Sequence, residues 1–283
     1  MARLWRAARK AIRRLFGVKR HKPEKVLSAK ERERLHPCVA HRGFSGQAPE
    51  NTMAAFKLAL SKPYVHWMEL DVHLSRDDVP VVIHDSTLKR TTNGQGNVRD
   101  YTAEQLGKLD AGSWFHRSFA KEGVPTLEQV LQLASGRCKL NVELKGDDQA
   151  DAETKRRLAH RAVDVIKANG MAQDTVITSF RPELLKAVRE YDATIKIGLI
   201  IDESPAGLTD RLIGLGATTL SIGYTHITTE LLRRTSEAGI EVMAWTVNSQ
   251  SDLEKLSRRN EPLQLCTNYP DRWYAATRGG ENS

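Results

Sequence analysis

Short runs of apolar residues alternate with longer, helix-like patterns along the chain after residue 36. The helix-like segments carry apolar residues at intervals of three and four, for example at 126–133, 157–168 and 182–191. Eight strand–helix units over about 240 residues predict an α/β fold, a parallel TIM (β/α)8 barrel. The predicted barrel strands are 38–40, 67–72, 139–144, 175–179, 195–200, 218–222, 240–247 and 263–267.

One region interrupts this alternation after the second barrel strand. Residues 79–83 form a further apolar run, which only the turn residues 75–78 separate from the second strand, so we predict an antiparallel hairpin partner. Residues 87–123 then contain turns and a small helix with a capping box of Thr102 and Gln105, without a strong strand pattern. We therefore expect a small insertion on the catalytic face of the barrel.

Residues 3–16 show a different pattern, in which apolar and aromatic side chains share one helical face and six basic side chains fill the rest. This pattern is typical of a short amphipathic helix on an anionic membrane surface. We expect it to end near Gly17, before a charged linker at 18–36. The alternatives are a solvated tail, a tail folded onto the barrel and an organellar transit peptide. The predicted domains are an arm and linker at 1–36, the barrel at 37–275 and a C-terminal tail at 276–283.

The charge of the chain is concentrated in this arm. The formal net charge is +8, but residues 1–34 hold 13 Lys or Arg against 3 Glu, which leaves 30 basic and 32 acidic residues elsewhere. A nearly neutral barrel gives no support for a nucleic-acid partner, so we expect none. The arm alone predicts contact with a membrane surface.

The sequence also predicts a cytoplasmic protein, peripheral on the inner membrane face if the arm binds lipid. Mean hydropathy is −0.47, and no apolar stretch approaches the length of about 18 residues that a membrane span needs. Arg13 and Arg14 interrupt the apolar stretch of a possible signal peptide. Cys38, Cys138 and Cys266 are odd in number and lie among apolar residues, which indicates buried, reduced thiols.

Charged residues and two histidines follow the predicted strands where a β/α barrel places its active site. Three carboxylates at one mouth would repel each other without a cation, and oxygen ligands suit Mg²⁺ or Ca²⁺. Two imidazoles can exchange protons with two substrate oxygens, and an arginine and a lysine would bind an anionic substrate. Each residue alone has a structural explanation, but together they predict metal-assisted phosphodiester cleavage. They are His41, Arg42, Glu69, Asp71, His84, Glu143 and Lys145.

The order of these motifs resembles that of the glycerophosphodiester phosphodiesterase family. The similarity covers roughly residues 37–275, and the motifs are specific as a set. The matching runs are His-Arg-Gly at 41–43, Pro-Glu-Asn-Thr at 49–52, Glu-Leu-Asp-Val at 69–72, Val-Ile-His-Asp at 82–85, Pro-Thr-Leu at 125–127, Asn-Val-Glu-Leu-Lys at 141–145, Ser-Phe at 179–180, Trp-Thr-Val-Asn at 245–248 and Asn-Tyr-Pro-Asp at 268–271.

The resemblance implies a TIM barrel with one divalent cation, Mg²⁺ or Ca²⁺, held by Glu69, Asp71 and Glu143. It also implies that His41 and His84 serve as general base and general acid. A substrate hydroxyl would attack the phosphorus and release the alcohol, and water would then open the cyclic phosphate formed.

Further residues are expected to bind the substrate. The resemblance implies that Arg42 binds phosphoryl oxygens and that Lys145 lies beside the metal carboxylates. Glu50 would orient Arg42 or a substrate hydroxyl, unless it only caps the helix that follows it. Phe180 and Trp245, at strand ends, would line the pocket of the leaving alcohol or cap the core.

Three residues invite a role that the sequence does not support. His73 shares a strand face with Glu69 and Asp71 but lies beyond the mouth, so we interpret it as structural. Arg181 is interpreted as a surface residue. Asn268 stands where the family often has an aspartate, so no charge-dependent role is assigned to it.

The leading functional hypothesis is hydrolysis of a glycerophosphodiester to sn-glycerol 3-phosphate and an alcohol. The closest alternative is a lysophospholipase D that uses the same site at a membrane surface. A third hypothesis, an inactive membrane-bound scaffold, conflicts with the presence of both histidines and all three carboxylates.

Overall fold

The computed structural model describes residues 27–146 and 150–278, so the predicted arm helix at 3–16 lies outside the described residues. Eight parallel strands form a barrel, which closes because the first strand pairs with both the last strand and the second. A ninth strand, β3, pairs antiparallel with the end of β2. The strands are β1 (Cys38–His41), β2 (Val65–Leu74), β3 (Pro80–Val82), β4 (Lys139–Leu144), β5 (Thr175–Ser179), β6 (Lys196–Ile201), β7 (Thr219–Gly223), β8 (Glu241–Trp245) and β9 (Gln264–Thr267).

Helices surround the barrel and bury their apolar faces against it. Most begin at a Ser, Thr or Asp whose side chain accepts a hydrogen bond from a free backbone N–H of the first turn, as Thr126 does. The described helices are α1 (Ala29–Leu35), α2 (Met53–Leu60), α3 (Ala103–Gly107), α4 (Leu127–Ala134), α5 (Ala152–Ala168), α6 (Pro182–Tyr191), α7 (Leu208–Leu215), α8 (Thr229–Glu237), α9 (Gln250–Ser257) and α10 (Pro270–Arg278).

The predicted TIM barrel is confirmed, with some shifts at the ends of its elements. β2 extends to Leu74 because its last residues pair with β3. β8 ends at Trp245 instead of 247, because its parallel pairing with β7 ends at that residue. α5 begins at Ala152 instead of 157, since the Asp151 side chain caps its first turn.

Two predicted segment boundaries are corrected. Residues 29–35 form helix α1 instead of a linker, because Ser28 and Glu31 make a reciprocal capping box. His36 then accepts a hydrogen bond at its backbone oxygen from Trp273 Nε1 (2.9 Å), which ties this segment to α10. α10 itself continues to Arg278, with Ala276 and Thr277 buried, so it passes the predicted boundary at residue 275.

The insertion after β2, which begins with β3, has an apolar core of its own. It contains short 3-10 turns and α3, with the predicted capping box of Thr102 and Gln105. Its buried side chains pack separately from the main barrel core. They are Val81, Ile83, Leu88, Val98, Leu106, Ala111 and Val124. Their packing holds the insertion against the catalytic end of β2.

Within residues 27–146 and 150–278, no helix combines the length and the apolar character that crossing a bilayer requires. Cys38, Cys138 and Cys266 are buried and form no disulfide, as predicted.

Candidate active site

A strained turn directly after β1 begins the site. Arg42 has a φ of +55° and Gly43 a φ of +77°, both in the left-handed region. A Cβ atom at Gly43 would lie 2.7 Å from the backbone carbon of Ala55, so only glycine fits between this turn and α2. The turn lets the Arg42 backbone N–H donate to Glu69 Oε2 at 3.0 Å, which fixes the first loop onto β2.

Three carboxylates meet at the carboxyl ends of β2 and β4. Glu69 and Asp71 are two residues apart on β2, so their side chains point to the same face. Asp71 lies opposite Glu143 in the register of the parallel strands. The three side chains are buried, and one oxygen from each lies within 4.8 Å of the others.

Two cations face this acidic cluster. Arg42 Nε lies 3.2 Å from Asp71 Oδ2, and Lys145 Nζ lies 2.7 Å from Glu143 Oε1 and 3.4 Å from Asp71 Oδ1. Burial, with the charge of Asp71, raises the pKa of Glu143 to about 7 and that of Glu69 well above its usual range. Burial also acts on Asp71, but Arg42 and Lys145 outweigh it and lower the pKa of that carboxyl.

The donor set fits a divalent cation. Asp71 Oδ2 accepts a hydrogen bond from Asn51 Nδ2 at 2.8 Å, whereas the buried Asp71 Oδ1 accepts none from the described residues and has only its ion pair with Lys145. If all three carboxylates are ionised, the positive charges of Arg42 and Lys145 do not balance them, and a buried negative charge is left. An all-oxygen set of this kind suits Mg²⁺ or Ca²⁺.

His41 lies on the barrel side of the site and has a neutral partner. Its Nδ1 lies 2.6 Å from Asn268 Oδ1, and its Nε2 lies 3.7 Å from Glu69 Oε2. The amide oxygen accepts the Nδ1–H, which leaves Nε2 with its lone pair towards the carboxylates. Burial, with a contribution from Arg42, lowers the pKa of His41 to about 4.

His84 lies on the insertion side and has a charged partner. Its Nδ1 lies 2.7 Å from Asp85 Oδ1. The side chain of His73 donates from Nε2 to the His84 backbone oxygen at 3.0 Å. Burial, with the charges of Arg42 and Lys145, outweighs Asp71 and Asp85 and lowers the pKa of His84. His84 is also more open to solvent, with 31% of its side chain exposed against 17% for His41.

The two histidines line one cavity of about 160 Å³ at the mouth of the barrel, together with Arg42, Glu69, Glu143 and Lys145. On its other side the cavity meets Phe180 and Trp245, whose rings touch edge to face with centroids 5.7 Å apart. The cavity therefore joins a polar end that suits a phosphoryl group to an apolar, aromatic wall.

Glu50 lies behind this cavity, where it accepts a hydrogen bond from Arg42 Nη1 at 2.9 Å. The alternative that Glu50 caps α2 is not what the structure has, because the capping side chain belongs to Thr52. Arg181, interpreted as a surface residue, is partly buried and donates from Nε to the backbone oxygens of Lys145 and Gly146.

The sequence interpretation gave no role to Asp85, Arg90 or Asn268, although all three contact the site. Asp85 follows His84 directly, and that adjacency was the available signal. Asn268 contacts His41 across 227 positions of sequence, which no local pattern reveals. Arg90 lies in the turn-rich insertion, where no periodicity marks it.

Comparisons with known proteins point to one family. A model of the glycerophosphoryl diester phosphodiesterase family matches residues 41–272. The chain is 36% identical over 219 residues to a glycerophosphodiester phosphodiesterase of Caldanaerobacter subterraneus, which covers 77% of this chain and 88% of that protein. It is 35% identical over 237 residues to a putative glycerophosphodiester phosphodiesterase of Bacillus subtilis, which covers 82% of this chain and 94% of that protein.

A solved structure is similar as well. It is a phosphodiesterase of Oleispira antarctica in complex with the product sn-glycerol-3-phosphate. The two folds superpose with a TM-score of 0.78 at 31% identity, over 88% of this chain and 99% of the other.

Proposed function

Because the chain belongs to the glycerophosphoryl diester phosphodiesterase family, a family of hydrolases, we propose that it cleaves glycerophosphodiesters to sn-glycerol 3-phosphate and an alcohol. One observation carries this proposal: His41 and His84 line the same cavity as Glu69 and Glu143, two of the three clustered carboxylates. Two imidazoles and an acidic metal-binding set are what cleavage of a phosphodiester at neutral pH requires.

The three carboxylates Glu69, Asp71 and Glu143 would hold one divalent cation, Mg²⁺ or Ca²⁺. When bound, the cation supplies positive charge that stabilises the phosphoryl oxygens as negative charge develops on them. Arg42 adds a second positive group, and its fork of N–H donors suits phosphoryl oxygens. Lys145 balances the carboxylates from the side of Glu143.

The hydrogen-bond partners suggest which histidine is the base. Asn268 fixes the Nδ1–H tautomer of His41, and burial keeps the ring neutral by lowering its pKa to about 4, so His41 Nε2 would take the proton of the attacking substrate hydroxyl. Asp85 stabilises the imidazolium form of His84, so His84 would give a proton to the oxygen of the leaving alcohol. This first step forms a cyclic phosphate and releases the alcohol.

The second step reverses these roles. Neutral His84 takes a proton from water, which attacks the cyclic phosphate, and protonated His41 returns a proton to the glycerol oxygen. Both histidines end in their starting states, so the cycle balances. Phe180 and Trp245 would contact the leaving alcohol, because they form the apolar wall of the same cavity.

The test is an assay of the purified full-length chain with glycerophosphocholine, coupled to detection of sn-glycerol 3-phosphate. We expect product with Mg²⁺ or Ca²⁺, no product after treatment with EDTA, and recovery when the metal is returned. Turnover that EDTA leaves unchanged would contradict the metal site. No turnover with any glycerophosphodiester, at any metal, would contradict the reaction.

A second candidate, lysophospholipase D activity, is favoured by the aromatic rim of the cavity. Phe180 is 46% exposed to solvent, which is unusual for a large apolar residue and would suit a lipid substrate. Parallel assays on lysophosphatidylcholine and glycerophosphocholine separate the two. Turnover confined to the lysolipid would replace the first proposal with this one.

Residues 3–16 of the arm are proposed to contact an anionic membrane surface. α1 and residue 36 pack against α10 and against the loop before β9, so the arm joins the barrel at the end opposite the mouth. Membrane contact through the arm would then leave the mouth open to water, which favours a water-soluble substrate. We also propose a cytoplasmic location, which the buried, free cysteines support.

Deletion of residues 1–26 tests the arm. We expect the full chain, but not the deletion variant, to sediment with phosphatidylglycerol vesicles, while both hydrolyse glycerophosphocholine equally. Equal sedimentation of the two proteins would contradict a membrane role for the arm. Vesicle binding without turnover of either substrate would favour an inactive scaffold.

A further inference from the structure

Arg90, in the insertion, binds two carboxylates from different segments of the chain. Its Nε and Nη2 donate to the two oxygens of Asp85 at 2.7 and 2.9 Å. Its Nη1 and Nη2 donate to the two oxygens of Glu50 at 3.0 and 2.8 Å. One planar guanidinium thus makes a two-pronged contact along each of two edges, which a lysine side chain cannot reproduce.

Each of these carboxylates also contacts a residue of the cavity. Asp85 accepts from His84 Nδ1 at 2.7 Å, and Glu50 accepts from Arg42 Nη1 at 2.9 Å. Arg90 itself does not line the cavity. It is therefore linked to both sides of the site through one carboxylate on each side.

The backbone around Arg90 is fixed by the core of the insertion. Leu88 is fully buried in that core, and its backbone N–H donates to the Gly96 oxygen at 3.0 Å. The Thr92 N–H donates back to the Leu88 oxygen at 3.0 Å, which closes a turn around Arg90. The guanidinium is partly exposed, so its effect depends on this geometry more than on long-range attraction through solvent.

We propose that Arg90 is a positioning residue that orients the His84 ring through Asp85 and the Arg42 guanidinium through Glu50, so that one side chain aligns proton transfer with phosphate binding. This inference rests on the proposed phosphodiesterase function. The hydrogen bonds from Arg90 also lower the pKa of Asp85 to about 2, which keeps the partner of His84 ionised at any working pH.

The test compares Arg90→Met and Arg90→Lys with Lys89→Met, a matched removal of the neighbouring exposed cation. Arg90→Met should lower kcat at least about tenfold and raise KM, because both sides of the site lose their alignment. Arg90→Lys should recover little of either loss, since one ammonium group cannot bridge two carboxylates along two edges. Lys89→Met should match the wild type.

Double variants separate the effect of Arg90 on His84, through Asp85, from its effect on Arg42, through Glu50. If Arg90 acts on His84 through Asp85, adding Asp85→Asn to Arg90→Met should lower kcat less than the two single effects combined. Adding Glu50→Gln to Arg90→Met should likewise raise KM less than the two single effects combined. Free guanidinium ion at low millimolar concentration should partly restore kcat in Arg90→Ala, a rescue that loss of folding would not allow.

Thermal unfolding of each variant is measured alongside. Arg90→Met with kcat and KM within twofold of Lys89→Met would overturn the inference, and so would full additivity in both double variants. Each kcat and KM of a variant is divided by the wild-type value on the same phosphodiester, whichever one the wild type hydrolyses. Failure of the wild type on glycerophosphodiesters would instead contradict the proposed function.

Discussion

The two histidines of the site are held by different parts of the molecule, His41 by the barrel and His84 by the insertion. His41 ends a barrel strand, and its partner Asn268 follows β9, the strand hydrogen-bonded to β1. His84 follows β3, outside the barrel, and its partner Asp85 is held by Arg90 of the insertion. His41 is less exposed and has a neutral partner, whereas His84 is more exposed and has a charged one.

This difference indicates two ways of fixing an imidazole. Backbone pairing between strands places His41 and Asn268, so few side chains are needed to orient them. The insertion half relies on charged side chains that bridge separate segments, so a single substitution there should change function with little loss of stability. The charges on each side also differ in a way that suits a base at His41 and an acid at His84.

The largest expected effect tests this assignment directly. His41→Ala and His84→Ala should each lower kcat on glycerophosphocholine by about 10²–10⁴-fold, the usual contribution of a general acid or base. With a glycerophosphodiester of p-nitrophenol, whose anion leaves without a proton, the loss in His84→Ala should shrink and that in His41→Ala should persist. Release of nitrophenol reports the first step alone.

Circular dichroism and thermal unfolding serve as controls, since both histidines are partly buried. If the loss shrinks for His41→Ala instead, the roles are reversed. Equal losses on both substrates would show that neither histidine protonates the leaving group.

The next largest effect is expected when the hydrogen-bond partner of each histidine is replaced, one at a time. Asn268→Asp gives His41 a carboxylate, which favours imidazolium and raises its pKa from about 4. A base with a higher pKa is protonated at higher pH, so the acidic limb of the kcat/KM profile should move upwards by about one pH unit. Asp85→Asn should lower the pKa of His84, and the basic limb should move downwards because the acid loses its proton earlier.

The profiles are measured with metal at saturation at each pH, so that ligand protonation does not obscure the limbs. If neither Asn268→Asp nor Asp85→Asn shifts the pH profile of kcat/KM, these partners only hold the imidazole rings in place.

The sequence was sufficient for the barrel and for the acidic cluster, for physical reasons. Strand patterns have a period of two, so Glu69 and Asp71 had to share a face, and parallel strands end at the same edge. The missed features depend on tertiary contacts or weak patterns. Arg90 and Glu50 are 40 positions apart, and α1 is charged on almost every side, so its capping box was the only local sign of a helix.

The smallest expected effect on kcat comes from a substitution in the core of the insertion, which also contrasts the insertion with the barrel. Leu106 lies in the core of the insertion and Leu140 in that of the barrel, and both are fully buried. Leu140→Ala should lower the free energy of unfolding by about 2–5 kcal/mol and leave kcat of the folded protein nearly unchanged.

Leu106→Ala should cost less global stability, because the smaller cluster can loosen without opening the barrel, but it should lower kcat several-fold by displacing Arg90. Urea unfolding gives the first quantity and steady-state kinetics the second. Hydrogen exchange should speed up mainly within residues 87–123. Equal global destabilisation by both variants, with kcat unaffected by Leu106→Ala, would mean that the insertion neither folds separately nor positions the site.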